Sequence, residues 1–251
     1  MFNFLSSLLH TGDHRHSDAP VLNVIHVLFL REHNRIARNL QRVNPHWSDE
    51  ILFQESKKIL NGVYQHIIYN EYLPAILGDE MVTKFGIRST AKGYNNVYDP
   101  KVDGSTRNVF AAAVFRIGHT QIDSFVGYLS PDYVQGGHTP VEDEFFNTRL
   151  IRSKHMYGAD GIARWMCTMF QGEADGLITH SVRNHLFQTE PGNGFDLPAL
   201  NMQRARDHGI PPYNKWREFC GLKRALHFGT GPMGLIDHEP ASAKALQLSY
   251  R

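Results

Sequence analysis

Three clusters of side chains in this sequence have the makings of a reaction centre. The first is the run 107–126, where His119 follows Gly118 and stands three residues after Arg116. Apolar residues recur there at helical spacing and Ala111, Ala112 and Ala113 keep it narrow, so the pattern predicts a buried helix across 107–126. A buried imidazole needs a partner, because an unpaired polar nitrogen costs about 1–3 kcal/mol. Residues i and i+3 share a helix face, which puts the Arg116 cation beside the His119 imidazole. Gly118 removes a side chain where something flat and large could approach. That combination suits a metal-bound cofactor carrying carboxylates. On this stretch alone, a core histidine with one satisfied hydrogen bond and a snorkelling arginine is the simpler account.

The second cluster is 197–209, which carries Asn201, Arg204, Arg206, Asp207 and His208. Asn201 could hydrogen-bond a buried group, while a capping Asn and a solvated basic face would explain much of the same composition. The third is the polar loop 12–20, with Arg15 and Asp18. An arginine stays charged in a pocket and can polarise a peroxide or phosphate oxygen. In the purely structural account Asp18 is its salt-bridge partner.

The totals narrow the choice. A net charge of +1 argues against nucleic acid as a partner through bulk electrostatics. No run of 18 apolar residues occurs, so no membrane span is expected. Residues 1–10 are apolar but lack a basic start and a small-residue cleavage site, so they do not read as a signal peptide. With only Cys167 and Cys220, neither a disulfide scaffold nor a Cys-based zinc site is available. Cys167 reads as a small core residue, and Cys220 could be a bridge residue without its partner. Fifteen His residues are many, but they are scattered and form no H-E-x-x-H pair.

The elements that must position these clusters are mainly helical. A helix is expected from about Pro20 to Val43, capped by Ser17 or Asp18, with Leu22, Ile25, Leu28, Phe29, Ile36 and Leu40 as its apolar stripe. The block Arg31 to Arg35 interrupts that stripe and reads either as internally paired or as a solvated face. Ser48, Asp49 and Glu50 start a second helix to about Tyr69, closed by a short segment through Gly78. A loop follows over 86–105, then the His119 run, then short helices over 142–150, 159–171, 176–188, 198–207, 213–220 and 241–250. No strand alternation persists anywhere.

The order of the motifs is more specific than any one of them. Gly12-Asp13-His14-Arg15 with Asp18-Ala19-Pro20 comes first. Leu30-Arg31-Glu32-His33-Asn34-Arg35 follows, then Arg116-Ile117-Gly118-His119-Thr120. Leu200-Asn201-Met202-Gln203-Arg204-Ala205-Arg206-Asp207-His208 and Tyr213-Asn214-Lys215-Trp216-Arg217 complete the series. Together they resemble the animal haem peroxidase superfamily, the group of myeloperoxidase, thyroid peroxidase and peroxidasin. The likeness runs over 11–251 as a partial haem peroxidase domain, with 1–10 as a non-matching N-terminal segment.

The resemblance implies a mainly α, animal haem-peroxidase-type helical domain, incomplete at both ends. It makes His119 the proximal ligand of a haem b iron and Asn201 the acceptor for that imidazole's other nitrogen. It makes Arg116 a partner of a haem propionate and adds Arg204 to the cofactor-binding residues. Arg15 becomes the distal arginine that assists cleavage of the peroxide bond. Asp18 takes the position of an acid that in several relatives is esterified to a haem methyl. Ala19 excludes the methionine sulfonium link known in the family.

The family's distal-histidine helix and its calcium loop find no match in this sequence. His10 and His14 are the nearest candidates for the distal base, and neither has the right context. The partner of Cys220 would lie beyond Arg251. The activity implied is oxidation of halide or organic donors by hydrogen peroxide, weak or absent in this chain alone. The alternative is a non-catalytic haem-binding or interaction fragment. Partners implied are peroxide, a small donor and the remaining peroxidase-domain segments, and the family points to an extracellular setting.

Overall fold

The computed structural model describes residues 12–94 and 96–250, so the expectations for 1–10, His10 included, lie outside the described residues. It is mainly helical, as expected. A 3-10 turn, His14–Ser17, leads into α1 (Pro20–Val43). Neither Ser17 nor Asp18 caps α1: Ala19 is its N-cap residue and Pro20 fills the first turn, where its missing N–H costs nothing. The capping side chain in this region is Asp13, which accepts from the Arg15 N–H and so starts the 3-10 turn.

α2 (Asp49–Ile67) starts as expected, with Ser48 Oγ accepting from the Ile51 N–H at 3.4 Å. It ends at Ile67, two residues short of the expected Tyr69, but the chain stays helical beyond it. A π-helical turn, Ile68–Tyr72, carries the chain into α3 (Leu73–Lys84). Pro74 lies just after that turn, and the wider winding suits a residue that has no N–H to give. Gly78, at φ 75°, makes the kink inside α3.

The expected helix over 107–126 is three pieces instead. α4 (Asn108–Ala112) ends at Ala113, whose φ of −136° and ψ of −65° are not helical. Val114–Gln121 then winds as a 3-10 helix. β1 (Phe125–Leu129) follows and pairs with β2 (Gly136–Pro140), a ribbon that the sequence pattern did not announce. Nor is the run buried throughout as predicted: Phe115 and Ile117 are 52% and 59% exposed, while Ala112 and Val126 are buried.

A 3-10 turn at Val141–Glu144 precedes α5 (Arg149–Arg152). After a further turn, Lys154–Met156, comes α6 (Gly158–Thr168). α7 is only His180–Arg183, far shorter than the 176–188 expected. α8 (Leu197–Asp207), α9 (Tyr213–Phe219) and α10 (Pro240–Ser249) lie within a residue or two of expectation.

Two compact units divide the described chain. The first draws on Met1–Gly104, Val126–Thr139 and Glu144–Thr168, the second on Ser105–Phe125, Pro140–Asp143 and Met169–Arg251. In the first, α1 packs on α2 with Phe29 set edge-on to Tyr64 at 5.4 Å. Val24, Ile36, Leu52, Val82, Leu150 and Ile162 are buried. Of the stripe predicted for α1, Ile36 is buried and Leu22, Ile25 and Leu28 are exposed; Asn23 and Val24 are buried in their place. The Arg31 to Arg35 block is a solvated face: Arg35 pairs with Glu32 at 2.7 Å, and Arg31 reaches Asp160 on α6 at 3.2 Å between two exposed side chains. Cys167 is exposed rather than core, because it lies five residues past buried Ile162 and off its face of α6. Cys220 is a free, exposed thiol.

The ribbon lies close on α6. Arg164 Nε donates to the Leu129 carbonyl at 2.9 Å. A Cβ at Gly127 would meet Trp165 at 2.5 Å and the Gly137 carbonyl oxygen at 2.6 Å, which is why the strand carries glycine there. Gly127→Ala is therefore expected to destabilise the unit by about 1–3 kcal/mol through overpacking. Denaturant unfolding checks this, and an unchanged midpoint would show that the ribbon shifts freely.

In the second unit Val182, Leu186, Leu235 and Ala243 are buried. Arg217, only 5% exposed, donates to the Lys223 carbonyl, the Tyr213 hydroxyl and the Asp237 carboxylate at 2.7, 3.0 and 2.6 Å. That network ties α9 to the chain that leads into α10. Among the described residues, no helix is long and apolar enough to cross a membrane.

Candidate functional site

Three of the residues singled out in the sequence meet in the second unit. Residues i and i+3 eclipse in a 3-10 helix, so the break at Ala113 brings Arg116 and His119 into line more closely than an α-helix would. Both reach Asn201 on α8. The amide nitrogen of Asn201 lies 2.8 Å from His119 Nδ1, and Arg116 Nη1 donates to its amide oxygen at 2.8 Å.

The backbones that carry them are clamped. Asn108, the first residue of α4, donates from its amide to the His208 carbonyl at 3.2 Å, and its amide oxygen lies 2.8 Å from His208 Nδ1. The start of the His119 run is thereby fixed to the end of the Asn201 helix. At the other end of α8, the Asp196 carboxylate caps the helix by accepting from the Ala199 N–H at 2.9 Å. The Gly172 N–H donates to the Gln121 carbonyl at 3.0 Å and holds the last turn of the 3-10 segment. The Asn108–His208 clasp was not read from the sequence, since a hundred residues separate its members and neither has a local signature.

The orientation of Asn201 differs from what the resemblance assigned. Its role was to be acceptor for the imidazole, but the amide nitrogen, not the oxygen, faces Nδ1. The reason is Arg116: a guanidinium offers only donors, so it takes the oxygen and turns the NH₂ group toward the ring. His119 is half-buried, and burial, followed by the neighbouring Arg116 charge, lowers its pKa below the ordinary 6.5. The ring is therefore neutral at neutral pH, the form in which imidazole ligates a metal. Arg204 lies three residues after Asn201 on α8 and is exposed.

Arg15 and Asp18 belong to the first unit. Arg15 is not paired with Asp18, as the structural account of the loop supposed. Its partner is Asp13, which receives Nε at 3.1 Å and Nη2 at 2.8 Å. Sequence reading missed Asp13, although its place two residues before Arg15 was the available signal. Burial raises the Asp18 pKa, opposed by the Arg15 and His14 charges. The Asp13 carboxyl is held far below its ordinary 3.8, first by the Arg15 side chain and then by its backbone N–H. A group depressed on folding supports the loop above its unfolded pKa and stops doing so as pH falls through the folded one. A carboxyl-carbon NMR titration of Asp13 is thus expected to inflect well below 3.8 and to return toward it in Arg15→Ala. An inflection at the ordinary value in both proteins would show that the pair does not form.

The animal haem peroxidase family model matches residues 5–249. The chain belongs to the animal haem peroxidase family. Among its relatives, a peroxidase-like protein of Margaritifera margaritifera is 37% identical over 96% of this chain and 31% of its own length. Eosinophil peroxidase of Mus musculus is 42% identical over 85% of this chain and 29% of its own length. Among solved structures, peroxidase A from Dictyostelium discoideum superposes with a TM-score of 0.80 at 30% identity, covering 99% of this chain and 45% of that one. The chain thus spans about a third of the length of the curated relatives it matches.

The family's cofactor is haem, and the second unit of this peroxidase-family chain has residues that fit it. Arg116 Nε is buried without a hydrogen-bond partner, a donor placed to meet an anionic group. A Cβ at Gly118 would have no atom nearer than Gln121 Oε1 at 4.0 Å, so the backbone there is open to a flat ligand. Among the described residues no cluster of three His, Cys, Asp or Glu could hold a bare metal ion. An iron that arrives in a porphyrin needs only one ligand from the chain.

Proposed function

We propose that this chain binds haem b through His119 Nε2 and serves as the proximal side of a peroxidase centre. The observation that carries the reading is the hydrogen-bonded set Arg116, Asn201 and His119. It engages the ring at Nδ1, and among the described residues no hydrogen bond to Nε2 competes for that atom. Bound haem supplies the redox chemistry by which peroxide oxidises a halide or organic donor.

The chain's own residues have distinct tasks in this reading. Asn201 orients the imidazole. Arg116 offers its buried, unpartnered Nε to one haem carboxylate, and Arg204, three residues after Asn201 on α8, adds a second cation. Arg15, permanently charged, polarises a peroxide oxygen, and Asp13 holds its guanidinium in place. Asp18 is the carboxyl available for an ester to a haem methyl. Proton transfer between the peroxide oxygens falls to a general base, and these 251 residues hold no match to the family's distal histidine. Turnover by the chain alone is therefore expected about 10²–10⁴-fold below that of a relative that has one.

The test is haem titration of the purified chain, followed by a peroxide-dependent donor assay. A saturable Soret band is expected, with slow turnover that Arg15→Ala lowers further. No Soret band at stoichiometric haem would overturn the proposal. A second reading, a haem-holding segment without turnover, is favoured by one observation: Arg15 is 68% exposed, with Nε and Nη2 turned to Asp13. Turnover no greater than that of free haem, with the Soret band intact, would select it.

A further inference from the structure

We infer that Arg116 sets the tautomer of His119 through Asn201, holding the ring of the haem-free chain in the neutral tautomer whose Nε2 carries the hydrogen, so that this nitrogen cannot ligate a metal. The inference deepens the proposal that His119 Nε2 is the iron ligand, and rests on it for its functional meaning.

The argument is one of donors and acceptors. Arg116 has donors only, so the atom of Asn201 that it meets at 2.8 Å must be the amide oxygen. The opposite orientation would set two N–H donors against each other. With the oxygen taken, the amide nitrogen is the atom 2.8 Å from His119 Nδ1. A neutral imidazole has one N–H and one bare nitrogen, so Nδ1 must be the bare one and Nε2 carries the hydrogen. In that state Nε2 has no lone pair for a metal. A ligating His119 needs the reverse: Nδ1–H donating and Nε2 bare.

The change between the two states involves no net gain or loss of protons. The Nε2–H bond breaks and an Nδ1–H bond forms, with the proton passing through solvent. It requires Asn201 to turn its amide by half a revolution, so that the oxygen accepts from Nδ1. It also requires Arg116 to give up that oxygen. Arg116 has somewhere to go: its Nε is buried and unpartnered, so the guanidinium gains an acceptor when a carboxylate-bearing ligand enters. Recognition of the ligand's carboxylate by Arg116 and readiness of His119 are thus one event. Arg116 is a positioning residue here, acting on the ring through Asn201. A chain in the wrong tautomer binds with an affinity reduced by the fraction in the ready state.

The experiment is long-range proton–nitrogen NMR of the haem-free full chain labelled with nitrogen-15 histidine, the His119 ring being assigned by the signals lost in His119→Ala. In the wild type, His119 is expected as the Nε2–H tautomer. Asn201→Asp places acceptors on both sides, satisfies Arg116 and Nδ1–H together, and is expected to shift the ring to Nδ1–H. Arg116→Met frees the amide and is expected to bring up the Nδ1–H form, which keeps the test open if the aspartate variant does not fold. A wild-type ring already in the Nδ1–H form overturns the inference, as does an Nε2–H ring in both variants. A purely structural role for Arg116 would move neither signal. Haem titration of the same samples separates the two claims: tautomers as expected without any Soret band would sink the haem proposal and leave the Arg116–Asn201–His119 device standing.

Discussion

His119→Gly is expected to lower haem affinity at least about 100-fold, the upper end of what losing even an outer partner of a metal ligand costs. Free imidazole added to the variant is expected to restore the Soret band. The elements around the ring do not depend on it. α8 keeps its Asp196 cap, and the Asn108–His208 clasp holds α4 to the end of α8. Asn201 remains to receive the added imidazole, and Arg116 remains to receive a carboxylate. Absorbance titration with and without imidazole checks this. Wild-type affinity in the variant would remove His119 from the site. Lost affinity that imidazole leaves unrepaired would point instead to a collapsed α4–α8 arrangement.

Arg149→Ala is expected to destabilise the first unit by about 3 kcal/mol. Glu144 is fully buried, and Arg149 Nη2 donates to its Oε1. Its other oxygen, Oε2, has no partner, so the carboxylate already lacks half of its hydrogen bonding. Removing the arginine leaves a buried charge without compensation, which costs more than the pair contributes when intact. The double variant Glu144→Leu/Arg149→Met is expected to recover most of the loss, since replacing both partners by apolar groups removes the desolvation cost. Denaturant midpoints of the wild type, the single and the double variant decide it. A single variant within 0.5 kcal/mol of wild type, the size of an ordinary surface change, would show that water reaches Glu144.

Much of the helical framework was legible because its signals are local. Pro20 at a helix start and Ser48 before two acids act within one turn of the chain. Those helices sit where the pattern puts them. The misplaced features share a different cause. Apolar spacing at 107–126 fits an α-helix, yet Ala113 leaves helical geometry and the chain goes on to form a ribbon on α6. Short apolar runs do not distinguish helix from strand, and here packing on Trp165 and Arg164 decides. The exposed Leu22, Ile25 and Leu28 and the buried Asn23 show the same limit, because which face of α1 is covered depends on α2 and α6.

The sequence by itself determined the family, through five motifs whose order no single residue could supply. It also picked out Arg116, His119 and Asn201 by type. Residue types name the donors and acceptors available, but they do not say which atom meets which. That was decided only by the tertiary structure: a break at Ala113, a clasp over a hundred residues, and an arginine that claims the asparagine's oxygen before the imidazole can. The reason is geometric. A hydrogen bond is fixed by positions that distant segments impose on each other, and those positions are absent from any local pattern.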